Sequence, residues 1–216
     1  MDNNKEIKIK TFSVNPIEMN MYVVYDSNGE GVIIDPGCAT EKEFEKLFCF
    51  TQDEKIKIVH VLVTHPHFDH VMGAERICAH YALPLELHSK AEEMLCYVSD
   101  SAKMFGFSVE KMPENLVFFE EGSHIKFGNT SMEVRYTPGH CQGSVCFVCS
   151  DAETVFSGDV LFRGSIGRTD LKTGDYDLLR ESILNRVFVL DDHYTVRPGH
   201  GGRTTVEYEK YHNPFL

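Results

Sequence analysis

The densest run of metal-ligand side chains is Thr64-His65-Pro66-His67-Phe68-Asp69-His70. Three imidazoles and a carboxylate within six residues are costly to bury without a purpose. Proline cannot donate to a strand ladder, so the chain must turn at Pro66. Across that bend His65 and His67 can face one cation, while Asp69 and His70, one turn further on, can face a second. Three later segments share one plan, in which an apolar strand runs into a glycine and then delivers a ligand. They end at His140 (Thr137-Pro138-Gly139-His140), Asp159 (Ser157-Gly158-Asp159) and His200 (Arg197-Pro198-Gly199-His200). Side by side, these strand ends would bring five histidines and two carboxylates to one rim. Nitrogen and oxygen donors of this kind suit zinc and accept iron or manganese. Seven ligands exceed what one tetrahedral ion takes, so the expectation is two divalent ions, zinc first, with Asp159 shared between them. A water held by two cations ionises near neutral pH and becomes a nucleophile. The chemistry this predicts is hydrolysis, with Asp69 and Asp159 as the catalytic carboxylates around that hydroxide. The bland alternative, a solvated polar loop, does not explain ligands at four separate places.

These ligands need strands behind them. Ile7 to Val14, Met21 to Tyr25 and Gly31 to Ile34 read as strands, with Asn28-Gly29 as a hairpin turn. Thr40 with Glu43 forms a capping box that opens a helix to about Phe50. Ile56 to Thr64 is nearly all apolar and suits a strand buried on both faces. Ala74 to Ala82 reads as helix, and Ser89 with Glu92 as a second capping box. Short strands follow at Leu116 to Phe119, His124 to Phe127, Met132 to Tyr136, Val145 to Cys149 and Thr154 to Phe156. Tyr176 to Leu184 reads as helix, Tyr194 to Arg197 as strand and Thr205 to Tyr211 as a closing helix. Many strands with helices interspersed predict an α/β fold in a single domain over residues 1–216.

Composition narrows the function. The chain has 216 residues, 42% hydrophobic and 25% charged, which is ordinary for a globular protein. Lys and Arg total 21 against 33 Asp and Glu, a formal charge of −12, which argues against nucleic-acid or anionic-membrane partners. The first ten residues carry no secretory pattern, and no apolar run approaches the roughly 20 residues of a membrane span. Seven scattered cysteines without an export signal read as reduced thiols of a cytoplasmic protein. Cys146 and Cys149 lie three apart on a strand, so they point to opposite faces and do not form a redox pair.

The T-H-x-H-x-D-H run with its distant His140, Asp159 and His200 resembles the metallo-β-lactamase superfamily. The resemblance runs from Ile33-Ile34-Asp35-Pro36-Gly37 to Gly201 and implies an αβ/βα sandwich, with two mixed sheets packed together and helices outside. Within the superfamily the chain is similar to the short glyoxalase II-like group, through the segment from Ser157 to Asp170 and the terminal Asn213-Pro214-Phe215-Leu216. The resemblance implies one metal on His65, His67 and His140, a second on Asp69, His70 and His200, and Asp159 bridging. It further implies thioester hydrolysis of the S-2-hydroxyacylglutathione type on a small, anionic substrate. The sequence departs from that group in three ways. There is no C-terminal helical domain after Leu216, Gly201 and Gly202 stand where an aromatic follows the last histidine, and Arg168 and Asp170 replace a Lys/Tyr pair. Arg168 is a candidate for pairing with a substrate carboxylate.

Two other functions fit parts of the pattern. A mononuclear-iron persulfide dioxygenase of the same superfamily would use the equivalents of His65, His140 and Asp159. A non-catalytic metal-binding or partner-binding module would have little reason to keep all seven ligands. Met94 to Met112, with Met104, Phe105 and Phe107, is a candidate apolar lid. Cys141 beside His140 reads as a packing thiol.

Overall fold

The structure is a computed structural model that describes residues 6–109 and 111–216. Its first sheet is built from β1 (Ile7–Val14), β2 (Met19–Asp26), β3 (Glu30–Ile34), β4 (Lys57–Leu62), β5 (Leu85–His88) and β6 (Leu116–Phe119), in that spatial order. β1, β2 and β3 form an antiparallel meander, and β3 to β6 run parallel. The Asp26 carboxylate accepts the backbone N–H groups of Asn28 and Glu30, and Gly29 adopts φ 81°, which closes the β2–β3 turn.

The second sheet begins with β7 (His124–Phe127), β8 (Thr130–Tyr136), β9 (Val145–Cys149) and β10 (Thr154–Gly158). After a small β11–β12 hairpin (Leu161–Phe162, Ser165–Ile166) it is completed by β13 (Thr195–Pro198) and the edge strand β14 (Thr204–Thr205). β7 to β10 are antiparallel, and β13 joins β10 in parallel. Both sheets are therefore mixed, as expected.

Three layers of buried side chains hold the sheets. Between the sheets, Tyr22, Val24, Ile34 and Leu62 meet Phe127, Val134, Phe147 and Phe156. Outside the first sheet lie α1 (Glu41–Asp53), α2 (Phe68–Val71), α3 (Ala74–Tyr81), α4 (Glu92–Leu95) and α5 (Val98–Met104). Outside the second lie α6 (Tyr176–Ser182), continued by a π turn over Ile183–Val187, and α7 (Val206–His212). This is the four-layer αβ/βα sandwich that the resemblance implies. Cys149 belongs to the layer between the sheets and Cys146 to the layer under α6 and α7, so the two thiols face opposite ways as strand alternation requires.

The Thr40 capping box forms with both of its hydrogen bonds and opens α1. The Ser89 capping box does not form. His88, at the end of buried β5 and stacked on Tyr136, places Nδ1 where it accepts the Lys90 N–H at 3.2 Å and caps a 3₁₀ turn over Ser89–Ala91. The helical stretch beyond is split into α4 and α5. The apolar segment that follows is only partly exposed. Phe107 and Met112 pack against the core outside the first sheet, while Met104 is 85% exposed and Phe105 is 52% exposed.

A histidine on the first sheet pairs with a glutamate of its own sheet and also bonds to the second sheet. His60 on β4 places Nδ1 2.6 Å from Glu86 Oε1 on β5, and Nε2 3.0 Å from the Lys126 carbonyl on β7. Two acceptors on two ring nitrogens suit the doubly protonated imidazolium. The hydrogen bond to Glu86 raises the His60 pKa above its ordinary value, against a smaller opposing effect of burial. A raised folded-state pKa contributes stability below the unfolded value near 6.5, and that contribution is lost as pH rises through the folded pKa. His60→Gln should therefore cost about 1 kcal/mol at pH 6, and the difference should shrink at pH 9 in chemical denaturation.

Candidate metal centre

Every ligand predicted from sequence is delivered at the end of a strand. β4 ends at Leu62, and the chain bends through Pro66 so that His65 precedes α2, His67 caps it, and Asp69 and His70 lie within it. His140 sits in the β8–β9 loop, Asp159 directly after β10 and His200 directly after β13. The seven side chains converge. His65, His67 and His140 form one ligand group, and Asp69, His70 and His200 form another. A further grouping of His65, His70 and Asp159 joins them.

The distances place Asp159 in the middle. Its Oδ2 is 3.8 Å from His140 Nε2 on one side and 3.8 Å from His200 Nε2 on the other, and its Oδ1 is 3.3 Å from His70 Nε2. Within the first group His140 Nε2 is 2.9 Å from His67 Nδ1, and within the second His200 Nε2 is 3.0 Å from Asp69 Oδ2. His65, Asp69, His70 and His140 are buried, whereas His67, Asp159 and His200 remain partly exposed and form the open side.

Close approach demands small residues. A Cβ on Gly199 would run into Asp159 Oδ1 and His70 Cε1, so a larger residue would push the two ligand groups apart. Gly139, before His140, has φ 124° and lies against the backbone of Leu179 in the middle of α6. Asp175 caps α6 and donates its own N–H to the Gly139 carbonyl at 2.8 Å, which fixes the loop.

The electrostatics divide the site in two. Burial, reinforced by neighbouring imidazoles, holds His65 well below the ordinary histidine pKa; burial and His140 push His67 down to about 3. Burial also lowers His140. These three are neutral nitrogen donors at physiological pH. Burial likewise disfavours a charge on His70, but Asp35, Asp69 and Asp159 together outweigh it and raise that pKa well above normal. His200 is also raised, through Asp69 and Asp159 acting against burial. The carboxylates around the second group thus favour positive charge there.

The donor set fits bound cations. Among the described residues, buried side-chain atoms without a hydrogen-bond partner are His65 Nε2, both His70 ring nitrogens, Asp159 Oδ1 and Arg197 Nε. All but the last belong to the cluster. Unsatisfied buried polar atoms each cost about 1–3 kcal/mol; His70 Nδ1 faces the Asp35 carboxylate, and metal coordination would satisfy His65 Nε2, His70 Nε2 and Asp159 Oδ1.

Residues outside the ligand set orient it. The Arg168 carbonyl accepts from His140 Nδ1 at 2.8 Å, which leaves the Nε2 lone pair facing the site. The Arg168 guanidinium itself is held by Asp170 in a bidentate pair at 2.7 and 2.8 Å. Asp35 is the residue whose importance spacing did not reveal. At φ 56° and fully buried, it accepts the Thr64 N–H at 2.7 Å and the Thr64 hydroxyl at 2.8 Å. Its Oδ2 also lies 2.9 Å from His70 Nδ1. Asn15 Nδ2 donates to the Asp69 carbonyl at 3.0 Å and the Gly37 carbonyl at 3.1 Å. The only sequence signal for Asp35 is an acid placed between the apolar β3 run and Pro36-Gly37.

Asp35→Asn keeps the shape but removes the charge beside His70. It should weaken binding of added zinc at the Asp69, His70 and His200 group by about 10–100-fold while sparing binding at His65, His67 and His140, as read by chelator competition.

The Metallo-beta-lactamase superfamily profile matches residues 15–200. The chain is 34% identical over 212 residues to the "Probable metallo-hydrolase YqgX" of Bacillus subtilis, covering 97% of this chain and 98% of that one. It is 30% identical over 212 residues to the "Hydroxyacylglutathione hydrolase GloC" of Haemophilus influenzae, with the same 97% and 98% coverage. Among solved structures it is similar to TTHA1623 in a di-iron-bound form, with a TM-score of 0.86 and 36% identity over 96% of this chain and 100% of that one. With the sandwich, the profile match and relatives of this identity along nearly its whole length, this chain belongs to the metallo-β-lactamase superfamily.

Proposed function

We propose that this chain is a two-cation hydrolase that cleaves a thioester of the S-2-hydroxyacylglutathione type. The observation that carries the reading is Asp159, within 3.8 Å of His140 in one ligand group and of both His70 and His200 in the other. His65, His67 and His140 would hold one ion, Asp69, His70 and His200 the other, and Asp159 both. Zinc is the first assignment; the di-iron form of a similar structure supports tolerance of iron. Two divalent cations there would supply Lewis acidity toward a carbonyl and a nucleophilic water at neutral pH.

The chain's own residues do the positioning. Asp35 and the Arg168 carbonyl hold His70 and His140 in register. The partly exposed His67, Asp159 and His200 mark the side from which a substrate enters. Phe68, between His67 and Asp69, stacks on Phe105 and Phe107 at centroid distances of 5.4 and 5.6 Å. This apolar patch adjoins His67 and Asp69 in sequence and would suit the uncharged part of an acyl thioester. Arg168 stands at the rim with Asp170, where it would meet an anionic substrate group.

The Haemophilus influenzae relative, a hydroxyacylglutathione hydrolase by name, supports the thioester class. An intact Asp69, His70 and His200 group favours the hydrolase over a mononuclear-iron persulfide dioxygenase, which needs only His65, His140 and Asp159. We place the enzyme in the cytoplasm as a single domain, a reading supported by seven free thiols. No helix among the described residues is long and apolar enough to cross a membrane.

Asp159→Ala and His67→Ala should each lower kcat/KM toward an S-2-hydroxyacyl thioester of glutathione by about 10³-fold, the scale of losing a dedicated electrostatic group. Full activity in either variant would contradict the reading.

A further inference from the structure

Next to the edge strand of the second sheet lies a cleft of about 480 Å³, lined by Arg163, Thr195, Arg203, Thr204, Thr205 and Tyr208. It contains two guanidinium groups and no carboxylate. Among the described residues neither Arg163 nor Arg203 makes a hydrogen bond or an ion pair, in a chain with 33 acidic residues against 21 basic ones. By contrast Arg135 and Arg186 each meet a glutamate, and Arg168 meets Asp170. Two unpaired guanidiniums on one concave surface make a local positive field within an acidic protein. A third lies close by. Burial lowers the Arg197 pKa, and the charge of Arg203 lowers it further.

The walls of the cleft are held rigidly. Glu209 is fully buried, and its carboxylate accepts the Gly164 N–H at 3.0 Å, the Thr204 hydroxyl at 2.6 Å and the Asn213 amide at 2.7 Å. Those bonds fix the residues next to Arg163 and Arg203 and engage the Glu209 carboxylate, which makes no ion pair with either guanidinium among the described residues. Arg163 lies over the Tyr208 ring, 5.9 Å from its centroid. The Thr195 hydroxyl and the Tyr208 phenol have no hydrogen-bond partner among the described residues. Thr205 accepts the Tyr208 N–H at 3.1 Å, which leaves its own hydroxyl proton free to donate.

We propose that this cleft binds a small dianion of the phosphate class, held between Arg163 and Arg203 with hydroxyl donors from Thr195, Thr205 and Tyr208. Two fixed positive charges match a dianion, and guanidinium forks match the oxygen edges of a tetrahedral oxyanion. The cleft is one short loop from the metal centre, because Gly201 and Gly202 alone separate His200 from Arg203. The β11–β12 hairpin that carries Arg163 also brings the Phe162 ring to 6.4 Å from the His200 ring. The proposal does not depend on the thioester reading.

The test is calorimetric titration of inorganic phosphate into the metal-loaded protein, into Arg163→Ala/Arg203→Ala and into His67→Ala. Both arginines are exposed, so the double variant should keep the fold, checked by circular dichroism. Losing the charge-assisted contacts should weaken phosphate by about tenfold or more. His67→Ala, which alters the metal centre alone, should leave phosphate affinity unchanged. Absence of phosphate binding to the parent protein overturns the proposal. So does unchanged binding in the double variant, or weakened binding in His67→Ala.

Discussion

Seven ionisable ligands crowded into one site repel or strip one another of water, and the rest of the molecule is arranged to keep them there. Burial makes three imidazoles neutral, and three carboxylates, Asp35, Asp69 and Asp159, surround His70 with negative charge. Mutual attraction does not hold such a set together. Position must come from the backbone, and the carboxylates around His70 leave the site suited to cations. That is why the ligands follow strands closely, with Asp69 and His70 on the short α2 beyond β4, so that the ladders fix the residues behind them. It is also why glycines mark the closest approaches.

Both sheets must contribute, so the packing between them is part of the site. The first sheet supplies His65 to His70 through β4, and the second supplies His140, Asp159 and His200 through β8, β10 and β13. Tyr22 and Asn20 on β2 stitch the two together. The Tyr22 hydroxyl donates to the Pro198 carbonyl at 2.7 Å, and Asn20 Nδ2 donates to the Pro198 and Gly201 carbonyls. The loop that carries His200 is therefore anchored from the opposite sheet. The β11–β12 hairpin does similar work on the other flank: through Gly167 and Arg168 it reaches the His140 ring.

The convergence of these seven residues was legible in sequence because metal chemistry restricts residue types and because they follow apolar runs that end in turns. The long helices and central strands were legible for a related reason, since Thr40 with Glu43 and the apolar run through β4 are local signals. Other features depend on partners distant in sequence. Ser89 loses its cap to His88 because Tyr136, 48 residues later, holds the histidine ring. The two-residue strands β11, β12 and β14 have no periodicity to read. Asp35 looks like an ordinary acid in a turn until β4 brings Thr64 and His70 beside it. Arg168 was picked for its side chain, yet the contact that orients a ligand comes from its carbonyl.

The central claim is that two cations share Asp159. Elemental analysis of the purified protein after saturation with zinc and removal of the excess tests it most directly. The account predicts two ions per chain, falling to one or fewer in Asp159→Ala. A saturated parent protein holding a single ion, or an Asp159→Ala variant still holding two, would contradict it.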